Sequence, residues 1–280
     1  MTVTAKYDVQ CLRVEAGSGT ARLAWSRADA RTHEGDSMKV AVVGTGDIGS
    51  QLARRLAHGD VELIIANSRG PWSLPGMAAE LGAQAMTVEK AILAADVVVL
   101  SIPFKAIPGM RETIQKASDE TIFVEMSNYY PEVGVIEGVD ASPSDTTWLS
   151  EQVGRPIVKA WNSIFSRSLA LMGRPSGDPD RIALPVAGDD PAAKQVVMQL
   201  VDATGFEPVD AGELAESWRM QPGSPAYCTD LDTDALRAAL ARAERARFAH
   251  DRIAGSQAIY DPETGMDMVR GVQVYRDVTS

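Results

Sequence analysis

Residues Gly44-Thr45-Gly46-Asp47-Ile48-Gly49 have the spacing GxGxxG. At this spacing the first glycine permits a tight turn and the second lets backbone approach a diphosphate. The third lets a helix pack closely on the preceding strand. Alone the pattern is weak, because glycine-rich hexamers arise by chance. Its surroundings strengthen it: a continuous apolar run over 40–43 stands directly before it. A helical segment over about 47–57 follows, with Ile48, Leu52 and Leu56 on one stripe. A helix beginning there directs free N–H groups and a partial positive charge at phosphate oxygens. The chemistry these residues suit is the grip of a dinucleotide by its diphosphate.

A second cluster decides which dinucleotide. NAD enzymes usually carry Asp or Glu at the end of the second strand, about 20 residues past the glycines, to hold the ribose 2′-hydroxyl. Here that place is taken by Asn67-Ser68-Arg69. A carboxylate would repel a 2′-phosphate, whereas a guanidinium can pair with one bidentately and a serine hydroxyl can donate to it. NADP is the cofactor these residues favour. The plainer alternative is that Arg69 is only a solvated loop charge.

The elements needed to position both clusters are present in the pattern. Strands are expected over 40–43, 61–66, 96–100 and 122–125, with helices over 47–57, 77–81, 88–94 and about 105–117 between them. Alternation of this kind implies right-handed crossovers and an α/β fold, a Rossmann-type doubly wound, mostly parallel sheet with a small helical C-terminal part. The stretch 131–155 reads as loop, 156–160 as strand, and 182–187 as the start of a further unit. Asp190, Pro191 and Gly205 suit the two ends of its helix. A strand over 206–209 is expected to extend the sheet, followed by a short helix near 212–219 and an Ala/Leu/Arg-rich one over about 233–250. Residues 272–275 look strand-like. The domain expectation is an extension over 1–37, disordered or loosely packed, with Met38 as the natural start. An NADP-binding domain then covers 38–155, a sheet extension and substrate or dimerisation part 156–255, and an unassigned tail 256–280.

Composition narrows the function classes. The apolar and charged fractions, 45% and 23%, are ordinary for a globular chain of 280 residues. A formal charge of −11 argues against nucleic acid or an anionic membrane as main partner. It also means that an anionic cofactor must be drawn by local positive groups. No apolar run approaches the roughly 18 residues of a membrane span. Cys11 and Cys228 make no disulfide framework and, with no signal-like segment, suggest a cytoplasmic setting. His33, His58 and His250 lack metal-ligand spacing, and no metal is expected. Leu236 and Leu240 suit either core packing or a homodimer contact.

The strings VVGTGDIGSQLARRL, NSRG, SIPFKAIP, SNYYP, VKAWNSI and LPVAGDD, in that order over about residues 38–245, resemble the NADPH-dependent reductases of the deazaflavin coenzyme F420 and their bacterial relatives. The resemblance implies two cofactors face to face, with hydride passing between nicotinamide C4 and deazaflavin C5. It places Gly44, Thr45, Asp47 and Ile48 around the pyrophosphate, and Ser68 and Arg69 at the 2′-phosphate. Ser101, Ile102 and Pro103 would lie along the path from adenosine to nicotinamide. Asn128 and the segment Lys159-Ala160-Trp161-Asn162 would approach the nicotinamide and its small-molecule redox partner. Trp161 stands where that family has phenylalanine, and Ser127-Asn128-Tyr129-Tyr130 replaces a Thr-Asn-Pro version. No catalytic acid or base is singled out.

Three other readings stay open. Lys159 and Asn162 could serve as the acid/base pair of a hydroxyacid dehydrogenase. An imine reductase of the pyrroline-carboxylate type demands less of its residues. A non-enzymatic NADP sensor would keep the same cofactor site. Tyr129 and Tyr130 could wall a planar ring or simply pack the loop.

Overall fold

The computed structural model describes residues 37–261, 265, 266 and 268–280. The expected extension over 1–37 lies, but for Ser37, outside them. From Met38 the chain runs β1 (Met38–Val43), α1 (Asp47–Leu56), β2 (Val61–Ala66), α2 (Pro75–Leu81), β3 (Gln84–Met86), α3 (Val88–Ala94), β4 (Val97–Leu100), α4 (Arg111–Lys116), β5 (Ile122–Glu125), α5 (Asp145–Val153) and β6 (Ile157–Lys159). The six strands form one sheet in the order β3-β2-β1-β4-β5-β6, and every pair is parallel.

Burial explains why these runs are strands. Side chains alternate between the faces of a strand, so a sheet covered on both sides needs apolar residues throughout. Val40, Val42, Ile65 and Val99 enter one core with Leu52 and Leu56 of α1. Ala41, Val43, Ile64, Val98 and Leu100 enter the other with Ile92 of α3 and Ile114 of α4. All four residues of β4 are buried, and each such aliphatic side chain contributes about 1.5–3 kcal/mol. This two-sided core holds the carboxyl ends of β1, β2 and β4 side by side, with Val43 in register with Ala66 and Leu100. The backbone ladder continues past them, with Gly44 N donating to Ala66 O and Ser101 N to Val43 O, each at 2.8 Å.

The remainder comprises α6 (Ser166–Leu171), β7 (Ala183–Val186), α7 (Pro191–Ala203), β8 (Glu207–Asp210), α8 (Thr233–Ala241), α9 (Phe248–Ile259), a short antiparallel pair β9 (Tyr260–Asp261) and β10 (Gly265–Met266), and α10 (Met268–Val278). Several expectations are corrected here. The strand near 206–209 does not extend the main sheet, because β8 pairs with β7 in a separate two-stranded sheet. The edge strand β6 meets Ala187, just beyond β7, in an antiparallel bridge that engages both Lys159 N and Lys159 O. That leaves β8 only β7 to pair with.

Residues 272–275 lie in α10, not a strand. Over four residues alternation cannot be told from a helical stripe, and Gly271, Tyr275 and Thr279 are the buried positions, four apart. The loop 131–155 contains α5, capped by Ser144 accepting from Thr147 N and closed by Gly154 in a left-handed conformation. The segment 105–117 is two 3₁₀ turns and then α4, with Pro108 opening the second turn. The long helix over 233–250 divides into α8 and α9 around residues 242–247. No helix among the described residues is long and apolar enough to cross a membrane.

Candidate functional site

The glycines between β1 and α1 are set by close contacts. Gly44 has φ +108°, and a Cβ there would stand 2.0 Å from the Ser101 carbonyl oxygen. A Cβ on Gly49 would stand 2.0 Å from the Gly44 carbonyl oxygen. Both positions therefore require glycine for the turn and the start of α1 to nest between β1 and β4. Gly46 differs: a Cβ there would meet nothing within 4 Å. The space it faces is open, and it lies at the N-terminus of a ten-residue helix. That combination suits a diphosphate.

Asn67 ties this turn to the end of β2. Its Nδ2 donates to Thr45 Oγ1 at 3.1 Å, while its Oδ1 accepts from Arg69 N at 3.0 Å and Ser73 Oγ at 3.1 Å. Asn67 is thus a buried organiser of the loop. The side chains it presents, Ser68 and Arg69, are exposed. Arg69 makes no ion pair or side-chain hydrogen bond among the described residues. The positive group expected at the 2′-phosphate is therefore available to a ligand.

Beyond the glycine turn, a cavity of about 400 Å³ opens where the sheet order reverses between β1 and β4. Ligands of open α/β sheets bind at such a point. Gly46, Asp47 and Ile48 line one side, and Ser101, Ile102 and Pro103 line another. Asn128 and Asn162 line it as well. These eight sequence-derived positions converge on one cavity, while Gly44, Thr45, Gly49 and Asn67 build the turn that precedes Asp47 and Ile48 and tie it to the end of β2.

Sequence reasoning missed the rest of the wall: Met126 and Ser127, the run Ile164-Phe165-Ser166, and Tyr227-Cys228. They come from loops distant in sequence and joined by a bond from Cys228 N to Ser163 O at 2.9 Å. No local pattern marks them. Tyr129 packs instead on Phe104, with ring centroids 5.8 Å apart, and its hydroxyl accepts from Ile136 N. The hydroxyls of Tyr130 and Tyr227 lie 2.6 Å apart, so Tyr130 supports the wall that Tyr227 forms. Burial pushes the Tyr227 hydroxyl and the Cys228 thiol well above their ordinary values, and both are neutral at pH 7.

Two positions expected on the substrate side do not reach the cavity. Lys159 is fully buried. Its Nζ lies 2.7 Å from Glu125 Oε2 and 3.2 Å from Asp145 Oδ1, and it donates to the Ser127 carbonyl at 3.1 Å. Burial opposes its charge, but Asp145 and Glu125 outweigh that and hold it above the ordinary lysine value. Burial also raises the Glu125 carboxyl; Lys159 pulls it down and Asp145 pushes it up again. Thr146 Oγ1 donates to Glu125 Oε2 at 2.9 Å, and the Ser127 hydroxyl donates to the other carboxylate oxygen. The cluster joins the ends of β5 and β6 to the first turn of α5 and fixes the loop that carries Asn128. It is a brace, and its lysine cannot touch a substrate.

Trp161 is likewise buried, with φ +55° and its indole Nε1 donating to Thr204 Oγ1 at 3.3 Å. Its ring belongs to the core beside Phe206. Both corrections have one cause. Residues that leave a strand end in succession diverge, and only the packing of the following loops decides which of them face the cavity. Among the described residues no group of three or more His, Cys, Asp or Glu is placed to hold a metal ion.

Comparison with known proteins adds a family. Residues 39–129 match the description "NADP oxidoreductase coenzyme F420-dependent". The crystal structure of a hypothetical protein, SMa0349 from Sinorhizobium meliloti, is 32% identical, covers 71% of this chain and 97% of its own, and superposes with a TM-score of 0.59. A structure from Arthrobacter sp. FB24, designated an F420 dependent NADP-reductase, is 22% identical over 65% of this chain and 87% of its own, with a TM-score of 0.51, and shares the fold. Escherichia coli K12 protein YjhV is 49% identical over 71 residues, 25% of this chain. The chain spans about half the length of that curated relative, 52%.

Proposed function

This chain belongs to the family of coenzyme F420-dependent NADP oxidoreductases, and from that premise we propose that it transfers hydride between NADPH and a second redox partner held in the cavity. The observation that carries the reading is the open backbone at Gly46 leading directly into that cavity at the reversal point of the sheet.

The residues present fit a nicotinamide dinucleotide. Gly46 and the first turn of α1 would receive the diphosphate, and Ile102, Pro103 and Asn128 would flank the path to the nicotinamide. Ser68 and Arg69, with no carboxylate beside them, favour the 2′-phosphorylated form. When bound, the nicotinamide supplies the transferable hydride. The task left to this chain is to orient two rings and exclude water from the space between them. Ile164, Phe165 and Tyr227 offer an apolar wall for a planar partner, and the family favours a deazaflavin coenzyme in that place.

The position of Lys159 weighs against a hydroxyacid dehydrogenase. That reaction needs an acid/base group at the substrate hydroxyl, and this lysine is sealed between two carboxylates. The test is a stopped-flow screen of NADPH oxidation against deazaflavin, flavin, ferric chelate, quinone and imino-acid acceptors. Fast oxidation with the deazaflavin is the expected result. Turnover with an imino acid alone would remove the deazaflavin, and binding of NADPH without turnover by any acceptor would leave a sensor.

A further inference from the structure

Asn162 stands at the cavity, and its amide is oriented by its neighbours. Its Nδ2 donates to Asn128 Oδ1 at 3.0 Å and to the Met220 carbonyl at 2.8 Å. Asn128 is held in turn, because its own Nδ2 donates to the Asn162 backbone carbonyl at 2.9 Å. Backbone carbonyls only accept, so neither amide can be turned over without setting two acceptors against each other. Both hydrogens of the Asn162 amide are therefore engaged. What remains is Oδ1, a buried atom with no hydrogen-bond partner, on a residue 2% exposed that lines the cavity.

The backbone supports the same assignment. Trp161 adopts φ +55°, a conformation that bulky L-residues rarely take, while its indole is anchored in the core by Thr204. Strain of this kind persists where the surroundings over-determine it, and it concentrates at ligand clamps. Here its effect is to send Trp161 into the core and Asn162 to the cavity. Ser101 Oγ is also buried without a partner, but a hydroxyl can rotate and either donate or accept. Asn162 Oδ1 can only accept.

We infer that Asn162 Oδ1 fixes the reacting ring by accepting from an N–H conjugated to a carbonyl. The inference rests on the reading of this cavity as a nicotinamide redox site. Two ligands carry that chemistry there: the primary carboxamide of the nicotinamide, and the ring imide N–H of a planar acceptor. A ring without the donor leaves Oδ1 unpaired, which is how a polar site rejects an analogue lacking one hydrogen bond.

The experiment uses the full chain and two ligand pairs. One pair is NADPH and its 3-acetylpyridine analogue, in which a methyl ketone replaces the carboxamide. The other is 5-deazariboflavin and its N3-methyl derivative, titrated in the presence of NADP⁺. Wild type is compared with Asn162→Ala and Asn162→Ser. In wild type one pair should differ by about three- to tenfold in affinity, and the variants should bring that pair to within about twofold. Collapse of the carboxamide preference assigns Oδ1 to the nicotinamide; collapse of the imide preference assigns it to the acceptor. Equal binding within both pairs by wild type overturns the inference, even where a variant fails to fold. So does a preference that survives intact in the variants. A wild-type chain that binds no nicotinamide nucleotide at all instead removes the redox reading beneath it.

Discussion

Replacing Arg69 with alanine should separate the two nicotinamide nucleotides. The side chain is exposed and makes no ion pair or hydrogen bond among the described residues, so its loss leaves no buried group unpaired. The turn survives too, because it is the Arg69 backbone N–H that donates to Asn67 Oδ1. Any change in affinity therefore reports on the ligand. A guanidinium meeting a phosphate makes two charge-assisted hydrogen bonds, each about 1.5–3 kcal/mol. At an exposed position, solvent and salt reduce that sum, and a net effect near one such bond follows: about 1.5–3 kcal/mol, or about 10- to 150-fold in the NADPH dissociation constant. NADH has no 2′-phosphate and should change by no more than about twofold. The net charge of −11 repels the cofactor elsewhere on the surface, so the Arg69 contribution should grow as ionic strength falls. Calorimetric titration of both nucleotides at low and physiological salt is the assay. Equal losses for NADPH and NADH, or no loss for NADPH, would refute the assignment of this loop to the 2′-phosphate.

Other perturbations test other parts of the account. Gly46→Ala meets no atom within 4 Å and φ is −75°. Its melting temperature should match wild type while dinucleotide affinity drops about tenfold or more, since the new methyl group occupies the space of the diphosphate. Gly49→Ala places Cβ 2.0 Å from a backbone oxygen, and thermal melting should show a loss of about 1–3 kcal/mol or more. Lys159→Met leaves Glu125 and Asp145 buried together, and urea unfolding should show about 3–5 kcal/mol lost; unchanged stability would contradict the brace. The Glu125 carboxyl already lies above its ordinary 4.5. Its contribution to stability is complete below that value and lost as pH rises through the folded pKa, so this variant should weaken as pH rises above 4.5. Burial pushes the Tyr275 hydroxyl from 10.0 up to about 12. The neutral form is favoured in the fold, so its contribution is whole below about pH 10 and disappears as pH climbs to about 12. Stability measured across that window should decline, and Tyr275→Phe should flatten part of the decline.

The sheet and the glycine turn were readable because their determinants are local. Runs such as 40–43 and 97–100 declare strands buried on both faces. A glycine at 44 or 49 declares a contact that no other residue allows. The end of β2 is a fixed distance along the chain from that turn, so Ser68 and Arg69 could be placed without knowing anything else. Short elements fared worse. Residues 272–275 are too few to tell two periodicities apart, and α5 was hidden in a stretch rich in Ser, Thr, Pro and Asp.

The far wall of the cavity was beyond reach for a different reason. Whether Lys159, Trp161 or Asn162 faces the cavity depends on which way residues 159–162 turn as the chain leaves β6. That is settled by Glu125, Asp145, Thr204 and Met220, each between 14 and 58 residues away. Tyr227 and Cys228 reach the same cavity through a backbone bond to Ser163 and the contact between the Tyr227 and Tyr130 hydroxyls. Sequence by itself determined the fold class and the glycine turn that opens on the cavity, since these follow from periodicity and from steric limits at single positions. Tertiary structure alone decided which side chains face the cavity, since direction at a strand end is set by packing between segments that no spacing rule connects.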